Sequence, residues 1–367
     1  MSLLRPAALE ALLPWVGASD PGRVHTEGRM ARVALEDARD RIAGFFATRP
    51  RQVILTSGAT EAANAATFGL LAGQRRGTVL LAAVEHSAVR EPSQRYASGL
   101  VWAGVSQTGE MDLDRWESLL GERRPALAHC QLANHEVGTI QPVSEIAEMC
   151  RSRGVALHVD AAAAAGHVRI AFDELGVDAM SVSAHKLGGP RGVGALLVRR
   201  GLRIDPLLIG GSQERARRAG LENVAAAVGF AAALDEIRPE GALEGEAARA
   251  RAQIARLRTV CETVPGVDVY GPRQEALRLP HLLCVGVSGV EAEAVLLGLD
   301  QAGIAAHSGS ACASEGLEPS PVLEAMGVEA QRSLRLSVGW STSERDVERA
   351  VEALPRVILR LRSLAAG

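Results

Sequence analysis

Short apolar runs rich in β-formers alternate with longer amphipathic stretches through the first two-thirds of this chain. The runs at 53–56, 78–82, 126–132, 156–159, 179–183 and 195–198 read as strands. The stretches at 29–47, 60–71, 142–153 and 172–175 read as helices between them. Such alternation predicts βαβ units, and so an α/β fold with a mainly parallel sheet covered by helices on both faces. Ligands in sheets of this kind gather beyond the carboxyl ends of the strands, where the connecting loops converge.

After Asn223 the texture changes. Two long Ala/Arg/Glu-rich helices are expected at 224–237 and 243–264. An α+β segment follows, with strands at 282–287 and 334–338 and helices at 291–302 and 344–361. The 367 residues exceed one ordinary core. The expected division is a large domain over 1–230 and a smaller α+β domain over 231–367. With 47% hydrophobic and 23% charged residues and a formal net charge of −3, the chain has the balance of a globular protein, and nothing in its total charge marks a nucleic-acid binder. The apolar stretch at 1–15 is broken by Arg5, Pro6, Glu10 and Pro14. It reads as a first helix rather than a signal peptide or membrane span, so the default expectation is a cytoplasmic enzyme.

One residue type stands apart. Of 40 basic residues, 39 are arginine and one is lysine, Lys186. Arginine can serve salt bridges and solubility, but it cannot condense with an aldehyde, because the guanidinium keeps its proton. Lys186 lies in Ser183-Ala184-His185-Lys186-Leu187-Gly188-Gly189-Pro190, after an apolar strand. Ser183 and His185 there can hydrogen-bond a phosphate, and the glycines admit a flat ring close to the backbone.

Other segments carry chemistry. Thr56-Ser57-Gly58-Ala59-Thr60-Glu61 follows a strand and opens a helix, a setting that suits an anion at backbone N–H groups and equally an ordinary helix cap. Asp160 ends a strongly apolar strand. A buried acid there needs a cationic partner, such as a protonated pyridine nitrogen, or else caps the residues that follow. Arg335 interrupts the apolar strand Ser333-Leu334-Arg335-Leu336-Ser337-Val338, and either a substrate carboxylate or an internal salt bridge would satisfy it.

The five cysteines lack any C-x-x-C pair or zinc-like spacing, so neither a disulfide framework nor a metal site is expected. Cys130, Cys150, Cys261 and Cys284 lie in apolar strand or helix runs and read as buried, inert thiols. Cys312 lies instead in His307-Ser308-Gly309-Ser310-Ala311-Cys312-Ala313-Ser314, a polar loop of small residues that suits a nucleophilic thiolate.

Taken in order, these segments resemble the group I cysteine desulfurases of the class V aminotransferase superfamily. The resemblance covers nearly the whole chain, from 22–28 with His25 through Glu85-His86, 134–138 and 213–220 to the Cys312 loop and Arg335. It implies a fold-type I pyridoxal-phosphate enzyme and a homodimer with active sites near the subunit interface. Lys186 would carry pyridoxal 5'-phosphate and then move protons, while Asp160 would pair with the pyridine nitrogen. His86 would stack on the ring and handle protons as a catalytic residue, and His135 would reach its phenolate oxygen. Ala59, Thr60, Ser183 and His185 would hold the phosphate, and Asn134 and Arg335 would bind the substrate. Cys312 would take the sulfur of L-cysteine as a persulfide, leaving L-alanine, and pass it to an acceptor protein. Iron–sulfur cluster assembly, thiolated tRNA and sulfur-containing metabolites are the destinations this implies.

The chain departs from the family pattern at four places. It begins at residues 2–6, beyond the usual opening strand and Ala-Thr-Thr turn. His135 replaces an asparagine, Ala163 a glutamine that would reach the cofactor ring, and Leu221 a threonine that would reach the neighbouring subunit's phosphate. Each lost neutral hydrogen bond costs about 1 kcal/mol. Two other readings stay open at this point: a different class V lyase or aminotransferase, and a catalytically impaired paralogue acting as a sulfur-relay partner.

Overall fold

The structure, a computed structural model, describes residues 2–72, 77–308 and 319–365. The chain forms two compact units. The first comprises Met1–Ala103, Leu113–Leu132 and Pro142–Leu243. The second comprises Gly104–Asp112, Ala133–Gln141 and Glu244–Gly367.

The first unit is built on a seven-stranded sheet. Its strands are β1 (Val53–Thr56), β2 (Thr78–Ala82), β3 (Gly99–Ala103), β4 (Leu127–Gln131), β5 (Ala156–Asp160), β6 (Ala179–Ser183) and β7 (Gly194–Val198), in the order β1-β7-β6-β5-β4-β2-β3. Neighbours from β3 through β6 pair in parallel, and β7 runs antiparallel to both β6 and β1. Central strands buried on both faces explain the unbroken apolar runs in the sequence. The mainly parallel α/β architecture expected from the alternation is present.

Two helical features matter for the site. The helix Ala59–Ala72 presents Ala62, Ala63 and Ala66 to Ile54, Leu81, Leu127 and Leu196 of the sheet, and these small side chains let its axis come close. The helix Val224–Asp235 is apolar on every side and buried along nearly its whole length. Its Gly229 is required by close approach: a Cβ there would stand 2.7 Å from Pro190 Cγ and 3.1 Å from the Ala8 carbonyl oxygen. The stretch at 1–15 forms the helix Pro6–Leu12 and a short 3-10 turn, Leu13–Trp15.

The second unit holds a four-stranded antiparallel sheet in the order β10-β11-β9-β8, from β8 (Val267–Tyr270), β9 (Leu282–Val287), β10 (His307–Ser308) and β11 (Ser333–Ser337). Its core joins Leu283, Val285 and Leu334 to Val295 and Leu299 of Ala292–Gln301 and to Leu354 and Ile358 of the closing helix Glu344–Ala365. Among the described residues, no helix is long and apolar enough to cross a membrane, and no cluster of His, Cys, Asp or Glu has metal-binding form.

Candidate active site

Strands β1 to β6 of the first unit share one direction, so their carboxyl ends and the amino end of β7 lie along one edge of the sheet. The predicted residues of this unit collect there because each follows a strand. Thr60 opens the helix after β1, and His86 caps the helix Ser87–Tyr96 after β2, its Nδ1 accepting the Ala88 N–H at 3.0 Å. Asp160 is the last residue of β5, and Lys186 closes the 3-10 turn Ala184–Lys186 after β6. In the ladder Asp160 pairs with Ser181, so the acid and the lysine stand beyond adjacent strand ends.

The turn after β1 packs closely against the start of β7. Backbone approach is tight, since a Cβ on Gly194 would come within 2.7 Å of Gly58 Cα. A side chain on Gly58 would enter the space beside Ser183 Oγ, 3.6 Å away. Ser183 Oγ and His185 Nδ1 are 2.8 Å apart, and burial, with Lys186 second, pushes the His185 imidazole down to about 4. A neutral ring can accept as well as donate. Glu61 closes the turn by accepting the Ser57 N–H at 2.8 Å and two bonds from Arg218, at 2.9 and 3.2 Å. Burial opposes its ionisation, but the bonds from Arg218 and Ser57 outweigh burial and hold the carboxyl below its usual range.

The lysine loop is held from behind by residues that the sequence did not mark. Arg5 is 4% exposed; its Nε donates to the Leu187 carbonyl at 3.0 Å and its Nη1 to Glu236 Oε2 at 2.9 Å. Its own N–H donates to the Gly188 carbonyl at 2.8 Å. Gly188 has φ +92 and a Cβ there would lie 2.6 Å from Arg5 Cγ, so glycine is needed for both conformation and space. Ser2 adds two bonds, from its N–H to the His185 carbonyl at 3.2 Å and from its Oγ to the Lys186 carbonyl at 3.0 Å. Lys186 itself is half-buried.

Behind Asp160 runs a buried polar chain. His129 Nδ1 and His158 Nδ1 are 2.9 Å apart, His158 Nε2 is 2.7 Å from Ser181 Oγ, and His129 Nε2 is 3.5 Å from Thr67 Oγ1. Thr67 already donates its proton to the Ala63 carbonyl at 2.8 Å. One hydrogen per link then fixes the order: Ser181 donates to His158, His158 to His129, and His129 weakly to Thr67. Burial first, then mutual repulsion, keeps His129 well below its ordinary range, and burial brings His158 down to about 4. Both rings are therefore neutral. Ala163, where the family pattern has glutamine, is half-buried, and Leu221 is 64% exposed.

Other predicted residues belong to the second unit. Asn134 Oδ1 accepts the N–H groups of Glu136 and Val137, both at 2.8 Å, which folds the 134–138 turn. Arg335 Nη1 donates to the His135 carbonyl at 3.1 Å, and among the described residues no carboxylate pairs with it. His135 Nε2 lies 3.5 Å from Glu136 Oε1, and Glu136 Oε2 accepts from Ser320 Oγ at 2.6 Å. Cys130, Cys150, Cys261 and Cys284 are buried, as their surroundings in the sequence predicted. Burial pushes the thiols of Cys150 and Cys261 up to about 12. Cys312 lies outside the described residues.

The donor set at the sheet edge fits a phosphorylated aldehyde with a ring nitrogen. Helix-start amides after β1, with the Ser183 hydroxyl and His185 imidazole at the end of β6, are donors of the kind a phosphate takes, and the Lys186 amine and Asp160 acid stand at the ends of β6 and β5. The family model for aminotransferase class-V matches residues 10–350. The chain is 38% identical over 367 residues to a protein named cysteine desulfurase IscS 1 from Archaeoglobus fulgidus, covering 97% of this chain and 94% of that protein. It is 37% identical over 372 residues to a cysteine desulfurase from Nostoc sp., covering 98% and 91%. A solved structure of a NifS-like protein superposes with a TM-score of 0.89 at 28% identity, covering 98% of this chain and 97% of that one.

Proposed function

Because this chain belongs to the aminotransferase class-V family, we propose that it is a pyridoxal-phosphate-dependent cysteine desulfurase. The observation that carries the reading is the position of the sole lysine, beyond the end of β6 and beside the strand that ends in Asp160. Relatives named cysteine desulfurase, similar along nearly the full length, support the substrate.

Ala59, Thr60, Ser183 and His185 would hold the cofactor's phosphate, His86 its ring face, Asp160 its pyridine nitrogen and His135 its phenolate oxygen. When bound, pyridoxal 5'-phosphate supplies an electron sink for the substrate's α-carbon. The chain's own groups do the rest. Lys186 would hold the cofactor's aldehyde carbon and, as a free amine, would move the substrate's α-proton. Asn134 and Arg335 orient the substrate carboxylate through directed hydrogen bonds. The Cys312 thiolate accepts the substrate's sulfur, so L-cysteine and one thiol become L-alanine and one persulfide, with atoms and electrons balanced.

A cytoplasmic homodimer that hands sulfur to an acceptor protein completes the reading. Val24, Met30, Val33, Ile209 and Leu221 are all exposed on the first unit, which suits a second copy of the chain. The test is to incubate the protein with pyridoxal 5'-phosphate and L-cysteine and measure alanine and sulfide together. The Cys312→Ser variant should keep the cofactor's colour and lose alanine release. Unchanged alanine release in that variant would move the protein to another class V activity. A protein that stays colourless with added cofactor would make it a non-catalytic partner.

A further inference from the structure

A second carboxyl lies beside Asp160, and the reaction as derived does not use it. Glu85 precedes His86 in the turn after β2 and is 2% exposed. Its Oε1 accepts the Gln131 N–H at 2.6 Å, while Gln131 Nε2 donates to the Val84 carbonyl at 2.7 Å and so ties the same turn to the end of β4. Gln131 is the ladder partner of Asp160, which places the two carboxyls at adjoining strand ends. Glu85 Oε2 is buried with no hydrogen-bond partner among the described residues.

This is a poor setting for a second negative charge. A buried carboxylate needs donors on both oxygens, and Glu85 has one backbone N–H on one oxygen. The groups that face it are Asp160 on β5, Arg90 on the helix Ser87–Tyr96 and Cys130 on β4. Arg90 acts on it through space, without a hydrogen bond. Burial and then the Asp160 charge raise the Glu85 carboxyl well above the usual range, and burial first, Glu85 second, raises the Cys130 thiol too. Asp160 Oδ1 accepts the Ala162 N–H at 2.9 Å, and at 9% exposure Asp160 is less deeply buried than Glu85 at 2%.

We propose that Glu85 and Asp160 form a carboxyl pair with a single negative charge, the proton residing on Glu85, and that Glu85 is thereby a positioning residue for the cofactor's pyridine nitrogen. This rests on the pyridoxal-phosphate reading. The proton on Glu85 removes a repulsion that would otherwise push a proton onto Asp160, and it leaves one fixed anion facing the ring nitrogen.

The test begins without cofactor. Infrared spectra of the apo protein at neutral pH should contain a protonated-carboxyl carbonyl band that shifts in D2O and is missing from Glu85→Gln. In Asp160→Asn the same group should lose its proton at a pH lower by about one unit or more. With cofactor bound, Glu85→Leu should shift the pH profile of the coloured band and Glu85→Gln should restore it, each variant first shown to be folded by its melting curve. Absence of the infrared band, its persistence in Glu85→Gln, or failure of glutamine to restore the profile would overturn the pair. Because the infrared signal needs no cofactor, its failure would leave the pyridoxal-phosphate reading intact. A protein that never takes up colour would overturn both that reading and the positioning role.

Discussion

Arg39 and Glu214 form a two-pronged ion pair, Nη1 to Oε2 at 2.6 Å and Nη2 to Oε1 at 2.7 Å, with side chains 2% and 1% exposed. The pair also grips β1, because Arg39 Nη1 donates to the Val53 carbonyl and Glu214 Oε2 accepts the Leu55 N–H. It thus ties the strand that leads into the 57–61 turn to the 213–220 segment. Arg39→Met would strand a buried carboxylate and should cost about 3–5 kcal/mol of stability, read from urea unfolding. Arg39→Met combined with Glu214→Gln should recover much of that loss.

The same pair holds a conformation the backbone disfavours. Glu214, Arg215 and Ala216 have φ values of 47, 59 and 61, three consecutive left-handed residues without a glycine. Each such residue costs roughly 1–2 kcal/mol relative to right-handed backbone. Ala216 is exposed and its methyl group is expendable. Ala216→Gly should therefore raise stability by about 1 kcal/mol, measured as a higher unfolding midpoint.

Acid should unfold the protein in a definable window. In the folded chain burial holds His158 at about 4, whereas an unfolded histidine titrates near its model value of 6.5. Below pH 6.5 the unfolded state gains a proton that the folded state refuses, so stability falls as pH drops toward 4 and levels off beneath it. The loss from this one group is of the order of 3 kcal/mol. A His129→Leu, His158→Leu double variant should give a flatter stability curve between those limits, read from denaturant midpoints against pH.

The N-terminal brace should matter to the cofactor rather than to the reaction. Arg5→Met removes the bond to the Leu187 carbonyl and the pair with Glu236 while keeping a long apolar stem. A charged hydrogen bond is worth about 1.5 kcal/mol or more, so pyridoxal 5'-phosphate should bind about tenfold more weakly, measured by titration of its absorbance.

Lys186→Arg keeps the positive charge but lacks an amine that can condense. The variant should melt within a degree or two of the parent, by an order-of-magnitude allowance for a half-buried site, and should show no coloured band at any cofactor concentration.

How much of this was legible depended on whether a residue's neighbours are near in sequence. The apolar runs of β1, β2 and β6 coincide with the observed strands because burial on both faces leaves a continuous apolar signature. The places of Lys186, Asp160 and Thr60 at or just beyond strand ends were readable because strand ends announce themselves locally. The helix Leu113–Arg123 and the half-exposed strand β3 carry mixed patterns and were not anticipated. Arg5 read as a break in an apolar stretch, yet its partners Leu187 and Glu236 are far along the chain. The left-handed 214–216 turn lacks the glycine that would have signalled it. Glu85 and His129 show their meaning only once β2, β4 and β5 are side by side. The segments Gly104–Asp112 and Ala133–Gln141, which join the second unit, have no compositional mark at all.

The loop that presents Lys186 also makes the chain its own reporter. A protease that cuts only after lysine has one target in the denatured polypeptide, the bond between Lys186 and Leu187. Reducing the cofactor linkage with borohydride before digestion would block that cut. The fraction of intact chain on a gel would then report the fraction of occupied sites, with no need for a spectrum or a substrate.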